Sequence, residues 1–264
     1  MENETLIRLG VFLGLFSLLA LLETIVPRRV RPVARGSRWL TNWGMTIANT
    51  LTMRIMAVAL PLLAVGAAID AGRAGIGLFH LVDWPTWVEI TLAIVVFDFA
   101  IWFQHLITHK IPLLWRLHRV HHSDRDLDVT TAIRFHPLEI ALSMIIKIGL
   151  VYALGPAAIA IILFEIILNG TAMFNHANIR IPDPLERMVR LVLVTPDMHR
   201  VHHSVDRSEH DSNYGFALSI WDRLFGTYIA QPKLGHDDMT IGLQWQDTGP
   251  LRLGWSLWLP FRRK

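Results

Sequence analysis

Long apolar stretches separated by short charged segments dominate the chain. Thr5–Val26 is apolar apart from Arg8 and Glu23. Pro27-Arg28-Arg29 follows as a stop-transfer flank would, with no small-residue cleavage site, so a retained span is expected rather than a signal peptide. A second apolar run extends from about Gly44 to Ile69, with Arg54 and Pro61 inside it. A third, about Trp87 to Ile107, is broken at Pro112. From Leu138 to Asn175 the chain is apolar again and divided at Gly155-Pro156, which predicts a helical hairpin that enters a bilayer and returns. Everything after Arg180 is polar or amphipathic. The pattern predicts an all-α integral membrane helical bundle of about four to five apolar helices, hairpin included, with a polar helical cap.

Composition sharpens this picture. The chain is 52% hydrophobic with a mean hydropathy of +0.38, high for a soluble protein yet short of an uninterrupted bundle of spans. It has no cysteine, which excludes disulfides, iron–sulfur clusters, thiolate haem and cysteine-bound zinc. The net charge of +3 does not point to nucleic acid, because the arginines flank apolar spans, where topology and lipid headgroups account for them. The loop after the first span carries Arg28, Arg29, Arg31, Arg35 and Arg38, whereas Asp70–Pro85 carries only Arg73. The positive-inside rule puts the first loop in the cytoplasm and predicts an inner-membrane protein.

Against that topology the histidines stand out. His105 and His109 are four apart at the end of the third span; His118, His121 and His122, then His199, His202 and His203, each read His-x-x-His-His. Helix positions i, i+3 and i+4 share a face, so each cluster can aim its rings at one point. All three clusters are expected on the cytoplasmic face. Eight imidazoles exceed the three or four ligands of a zinc site and fit a two-metal centre. The Glu-x-x-His pairs of soluble di-iron bundles are absent, and an all-nitrogen site suits oxygen activation by ferrous ions. A bis-histidine haem needs facing residues deep in the spans instead. His176, at the end of the hairpin, is read as a further ligand, and His136, at its start, as either a ligand or the partner of one. His80, His210 and His236 read as ordinary surface or hydrogen-bonded residues.

The order of these boxes around membrane spans resembles the fatty acid hydroxylase / sterol desaturase superfamily. Arg134-Phe135-His136-Pro137-Leu138-Glu139 is similar to that superfamily's segment after its second box. Asn213-Tyr214-Gly215 and Trp221-Asp222-Arg223-Leu224-Phe225-Gly226-Thr227-Tyr228 resemble its stretch after the third. The likeness covers about Asp98–Tyr228. It implies an O2-dependent membrane oxidoreductase acting on lipids through two iron ions. It places ligands at His105, His109, His118, His121, His122, His199, His202 and His203, with His176 as a ninth. No fused cytochrome domain is visible, so electrons are expected from a separate ferredoxin- or cytochrome-type donor, and the short chain reads as bacterial.

Metal-bound imidazoles need partners for their other nitrogen. Asp98, two turns before His105, is the leading candidate, with Asp197, Asp124 and Asp222 as weaker ones and Asn178 and Asn213 as residues that could orient ligands or a metal-bound water. Glu165, in mid-hairpin, is expected to face the bundle interior, paired with a base or lining a channel, while Arg54 and Lys147 are expected to snorkel. Trp84, Trp87, Trp102 and Trp115 read as interfacial anchors. The chain is read as one membrane-embedded unit over 1–264: two generic spans in 1–86, a histidine-box core in 87–230 and a tail in 231–264. The expected reaction is lipid C–H oxidation, hydroxylation before desaturation, with no catalytic side chain beyond the metal centre. A metal transporter and, behind it, a zinc-dependent lipid hydrolase are the alternatives; the latter lacks a His-Glu-x-x-His motif.

Overall fold

A computed structural model describes residues 3–30, 33–59, 63–245 and 247–262. Arg31, Pro61, Arg263 and Lys264 lie outside the described residues. Every named element among the described residues is helical. The long ones are α1 (Glu4–Ile25), α2 (Arg35–Ala59), α4 (Thr86–Lys110), α6 (Pro137–Leu154) and α7 (Ala158–His176), with a shorter α3 (Ala64–Ala74). Among the described residues, five stretches are long and apolar enough to cross a membrane, one of them running from α2 through α3. Their outward faces carry exposed leucines and isoleucines such as Leu6, Leu13, Leu21, Ile55 and Ile145. Such a surface is stable only in lipid. The protein is an integral membrane bundle.

Local chemistry sets the boundaries. Pro112 opens α5 (Pro112–His122) at the first helical position and turns the chain away from α4. Pro137 does the same for α6, which ends at Gly155 in the left-handed conformation (φ 65°). The α6–α7 turn meets residues 76–80 so closely that only glycine fits: a Cβ on Gly155 would lie 2.2 Å from the Ile76 carbonyl oxygen, and one on Gly77 would lie 2.2 Å from the Gly155 nitrogen. Beside this contact, Ala64, Ala67 and Ala68 of α3 form a small-residue stripe packed against Phe97, Val151, Leu154, Ile161 and Phe164. Small residues let helices approach closely in lipid, where dispersion replaces the hydrophobic drive.

Two expectations about charge are corrected. Arg35 and Arg38 are not loop residues: α2 begins nine residues before Gly44, and its first turns bury the polar side chains of Arg38, Thr41 and Asn42. The Arg38 guanidinium donates to both carboxylate oxygens of Asp124 (2.7 and 2.9 Å) and to Asp128 (2.7 Å). Hydropathy reads an arginine as a solvated end, but a fully paired guanidinium can be buried. Lys147 does not snorkel; its Nζ donates to Glu165 Oε1 at 2.6 Å, and Arg8 donates to the other Glu165 oxygen. The pairing of Glu165 with basic residues is as the sequence reading expected.

Shorter helices complete the cap: α8 (Asp183–Val189), α9 (Pro196–His202) and α10 (Arg207–His210). Glu23, 1% exposed at the end of α1, accepts from the backbone nitrogens of Val129 and Asn178 (2.7 and 3.0 Å). One carboxylate thereby pins the end of α1 to the segment after α5 and the segment after α7. Both segments border the histidines.

Candidate metal centre

Four helices deliver nine histidines to one end of the bundle. The last turns of α4 bring His105 and His109; α5 brings His118, His121 and His122; α7 ends on His176; α9 brings His199 and His202, with His203 as its C-terminal cap. All nine are buried. Their rings form two groups, His105, His109, His118, His122 and His202 in one, His121, His176, His199 and His203 in the other, and within each group one nitrogen per ring lies within 4.8 Å of the rest. The triplets are thus split rather than aimed at single points. In each, neighbouring histidines project about 100° apart on a 3.6-residue helix, so His121 and His122 face different groups, as do His202 and His203.

The ring nitrogens show what these groups suit. Nε2 of His105 and Nε2 of His118 are 3.0 Å apart; Nε2 of His176 is 3.0 Å from that of His121 and 3.1 Å from that of His199. Two nitrogens each about 2.1 Å from one ion, at right angles, lie about 3.0 Å apart. The Nε2 atoms of His109, His122, His202 and His203 are buried with no hydrogen-bond partner at all. Buried polar atoms left without partners are costly unless something absent from the protein satisfies them. Burial and the neighbouring imidazoles hold His121, His122, His199, His202 and His203 well below the usual imidazole range. They are therefore neutral at physiological pH, the form that ligates a metal. Nine imidazole nitrogen donors fit two divalent first-row ions such as iron.

Four rings are oriented through Nδ1. His118 donates to Glu139 Oε1 at 2.6 Å, His105 to the Tyr214 carbonyl at 2.7 Å, and His176 and His202 to the carbonyls of Ala172 and Ser212, both at 2.6 Å. Each bond fixes the tautomer and leaves Nε2 bare for an ion. The ring of Phe135 stacks on His121, 4.4 Å between centroids.

His136 joins neither group. Its Nδ1 accepts from the Leu138 backbone nitrogen and its Nε2 meets the Leu257 carbonyl, both at 3.2 Å. It caps α6, with both nitrogens occupied. Asp98 does not reach His105, because seven residues rise about 10.5 Å along a helix. It accepts instead from Trp221 Nε1 at 2.8 Å and the Leu218 nitrogen. Asp222 accepts from the Tyr214 and Gly215 nitrogens, both at 2.8 Å, and from Trp102. Together the two carboxylates hold the loop whose Tyr214 carbonyl anchors His105. Asn213 bonds the Met198 and Ile229 carbonyls, and Asn178 bonds the backbone of Arg29. Asp197 takes Arg28 and Arg200. None of these touches a histidine of the two groups. Two tryptophans are also reassigned: Trp102 is buried, and Trp115 packs on His109 and His122.

The orienting residue that the sequence reading did not assign is Glu139. The signal lay in its place, three residues after His136 at the start of α6. The carbonyl anchors have no sequence signal, since any residue supplies one.

Two cavities, each about 300 Å³, reach different histidines of the five-histidine group. One lies among the membrane helices; Phe12, Ile140, Leu168 and Phe216 give it apolar walls, Asn49 and Ser143 polar points, and His105 and His118 its floor. The other opens through polar residues and reaches His109 and His122.

The family model described as Fatty acid hydroxylase matches residues 90–227, a stretch that holds all nine histidines and Glu139. Ornithine lipid hydroxylase OlsE of Rhizobium tropici is 28% identical over 260 residues, covering 96% of this chain and 75% of that one. Alkylglycerol monooxygenase of Homo sapiens is 33% identical over 151 residues, 55% of this chain and 31% of its own length. The Xenopus tropicalis enzyme of the same name is 30% identical over 154 residues, 57% and 32%. The chain thus spans three-quarters of the first relative but only about a third of the other two. No solved structure matches it.

Proposed function

The chain belongs to the fatty acid hydroxylase family, and on that premise we propose that it inserts one atom of O2 into a C–H bond of a membrane lipid, using two iron ions held by the nine histidines. The balance is R–H + O2 + two electrons + two protons giving R–OH + H2O. The electrons come from a separate electron-transfer protein of the ferredoxin or cytochrome type. The observation that carries this reading is the meeting of the membrane-side cavity with His105 and His118. Iron on imidazole ligands would supply the reductive activation of O2, which no side chain performs alone.

The chain's own residues do the rest. The apolar walls of the cavity take the hydrocarbon and exclude water. Asn49, Gln104 and Ser143 offer polar contacts that fix how far a chain enters. Glu139 and the Tyr214 carbonyl hold the two ligand rings nearest the cavity, so the reacting carbon lies beside the five-histidine group. The relatives named above are a hydroxylase of ornithine lipid and a monooxygenase of alkylglycerol. They favour hydroxylation over desaturation and a substrate with a polar headgroup on a long hydrocarbon chain.

Arginines at the histidine end, among them Arg28, Arg29, Arg116 and Arg125, against Arg73 alone in the Asp70–Pro85 segment, support a cytoplasmic site in an inner membrane. A transporter would need ligands along a route through the spans. Among the described residues, the three groups able to hold a metal all draw on the histidine end.

The test is expression in a bacterium that lacks the gene, under isotopically heavy O2, with mass analysis of extracted lipids. The reading expects a lipid that gains one labelled oxygen, absent with His121→Ala or His202→Ala. Label arriving from water, or product formation that survives both changes, would overturn it.

A further inference from the structure

The nine histidines are so deeply buried that a metal ion needs a defined way in. The cavity among the membrane helices is a poor route for a hydrated cation, because its walls are largely apolar. The second cavity, the more polar of the two, is lined by His109 and His122 of the five-histidine group, and by His210 and Asp211, which are less buried.

His109 belongs to two groups able to hold a metal: the five-histidine group, and a smaller one with His210 and Asp211. Both of its ring nitrogens are buried without a hydrogen-bond partner. Nδ1 stands 3.4 Å from Asp211 Oδ1, close enough for an ion pair but misaligned for a hydrogen bond. That ring therefore has one nitrogen on the Asp211 side and the other left for the inner group. His210 is fixed beside it: its Nδ1 meets the Ser204 carbonyl at 3.3 Å, and its ring stacks on Trp115 with 5.3 Å between centroids and 10° between planes.

We propose that His210, Asp211 and Nδ1 of His109 form an outer cation site, through which a divalent first-row metal ion passes from water into the five-histidine group. This rests on the reading of the nine histidines as a two-metal centre. Two imidazoles and a carboxylate bind such an ion while leaving room for its waters. Five imidazoles bind it more completely, so the ion runs downhill from the outer site to the inner one. Lys110 and Arg207 pair with Asp211 at 3.0 and 3.6 Å. Their side chains are 47% and 76% exposed, so they can swing into water as the cation replaces them.

The test uses the full chain in detergent, stripped with a chelator and mixed with Co2+, whose visible absorbance reports ligation. Wild type is expected to take two ions per chain. Asp211→Asn and His210→Ala are expected to slow uptake roughly tenfold while still filling to two. Val205→Trp, which narrows the same cavity without touching a donor, is expected to slow it as well. Wild-type uptake rates in all three variants would overturn the outer site and leave the two-metal reading standing. Wild type that binds no Co2+ would overturn the reading itself. Should the first two variants fail to fill, the Val205→Trp rate decides.

Discussion

Glu139 Oε1 lies 2.6 Å from Nδ1 of His118, and so a carboxylate on α6 orients a ring on α5. A carboxylate behind an imidazole raises its basicity and fixes its tautomer. Glu139→Leu should therefore weaken metal binding by roughly 10- to 100-fold, with Glu139→Gln intermediate. Competition against a chelator of known affinity measures this, and equal affinity in all three proteins would show that Glu139 does not tune the site.

Ser143 lines the membrane-side cavity and is not one of the nine histidine ligands or their hydrogen-bond partners. Ser143→Trp should fill the space meant for hydrocarbon. Lipid oxidation is expected to fall by at least an order of magnitude, about 1.4 kcal/mol or more in transition-state binding, while metal content stays at the wild-type level. Full activity with the tryptophan in place would mean that substrate reaches the histidines by another way.

Glu165 sits between Arg8 and Lys147 inside the membrane, and Arg8 also reaches Glu4 at 3.1 Å. Glu165→Ala strands Lys147, leaves Arg8 with Glu4 alone, and is expected to cost about 3–5 kcal/mol. Replacing Arg8, Lys147 and Glu165 together by leucine or methionine should recover most of that loss, because no buried charge is left unpaired. Thermal unfolding in detergent compares the two. A triple variant less stable than the single one would show that the charges add net stability.

At the opposite end of the bundle, Gly155→Ala is expected to destabilise the hairpin. The new methyl would overlap the Ile76 carbonyl at 2.2 Å, and φ is +65°. The measurement is the unfolding temperature against that of Gly149→Ala, a helical glycine with nothing within 4 Å. The second change should be neutral or stabilising. Equal effects would argue against the close contact.

Much of this was legible in the chain itself, for reasons that particular residues make plain. Apolar spans announce themselves because hydropathy sums over some 20 residues, and the helices fall close to where those runs lie. The histidines were legible because spacing on a helix is geometry. Their division into two groups was not, since which ring joins which group depends on how α4, α5, α7 and α9 come together. Arg38 was misread for a related reason: charge counts are one-dimensional, whereas its partners Asp124 and Asp128 lie more than 80 residues away. Asp98 shows the limit of face arguments. Sharing a face with His105 does not bring it within reach, and only the structure shows that its partner is Trp221.

The central claim is that nine histidines hold two iron ions, and metal analysis of protein purified without oxygen from iron-replete cells tests it most directly. Two iron ions per chain are expected. His122→Ala and His203→Ala are expected each to lower that number, since each removes a donor from a different group. A chain that carries one ion, or none, or zinc with lipid oxidation intact, would contradict the account.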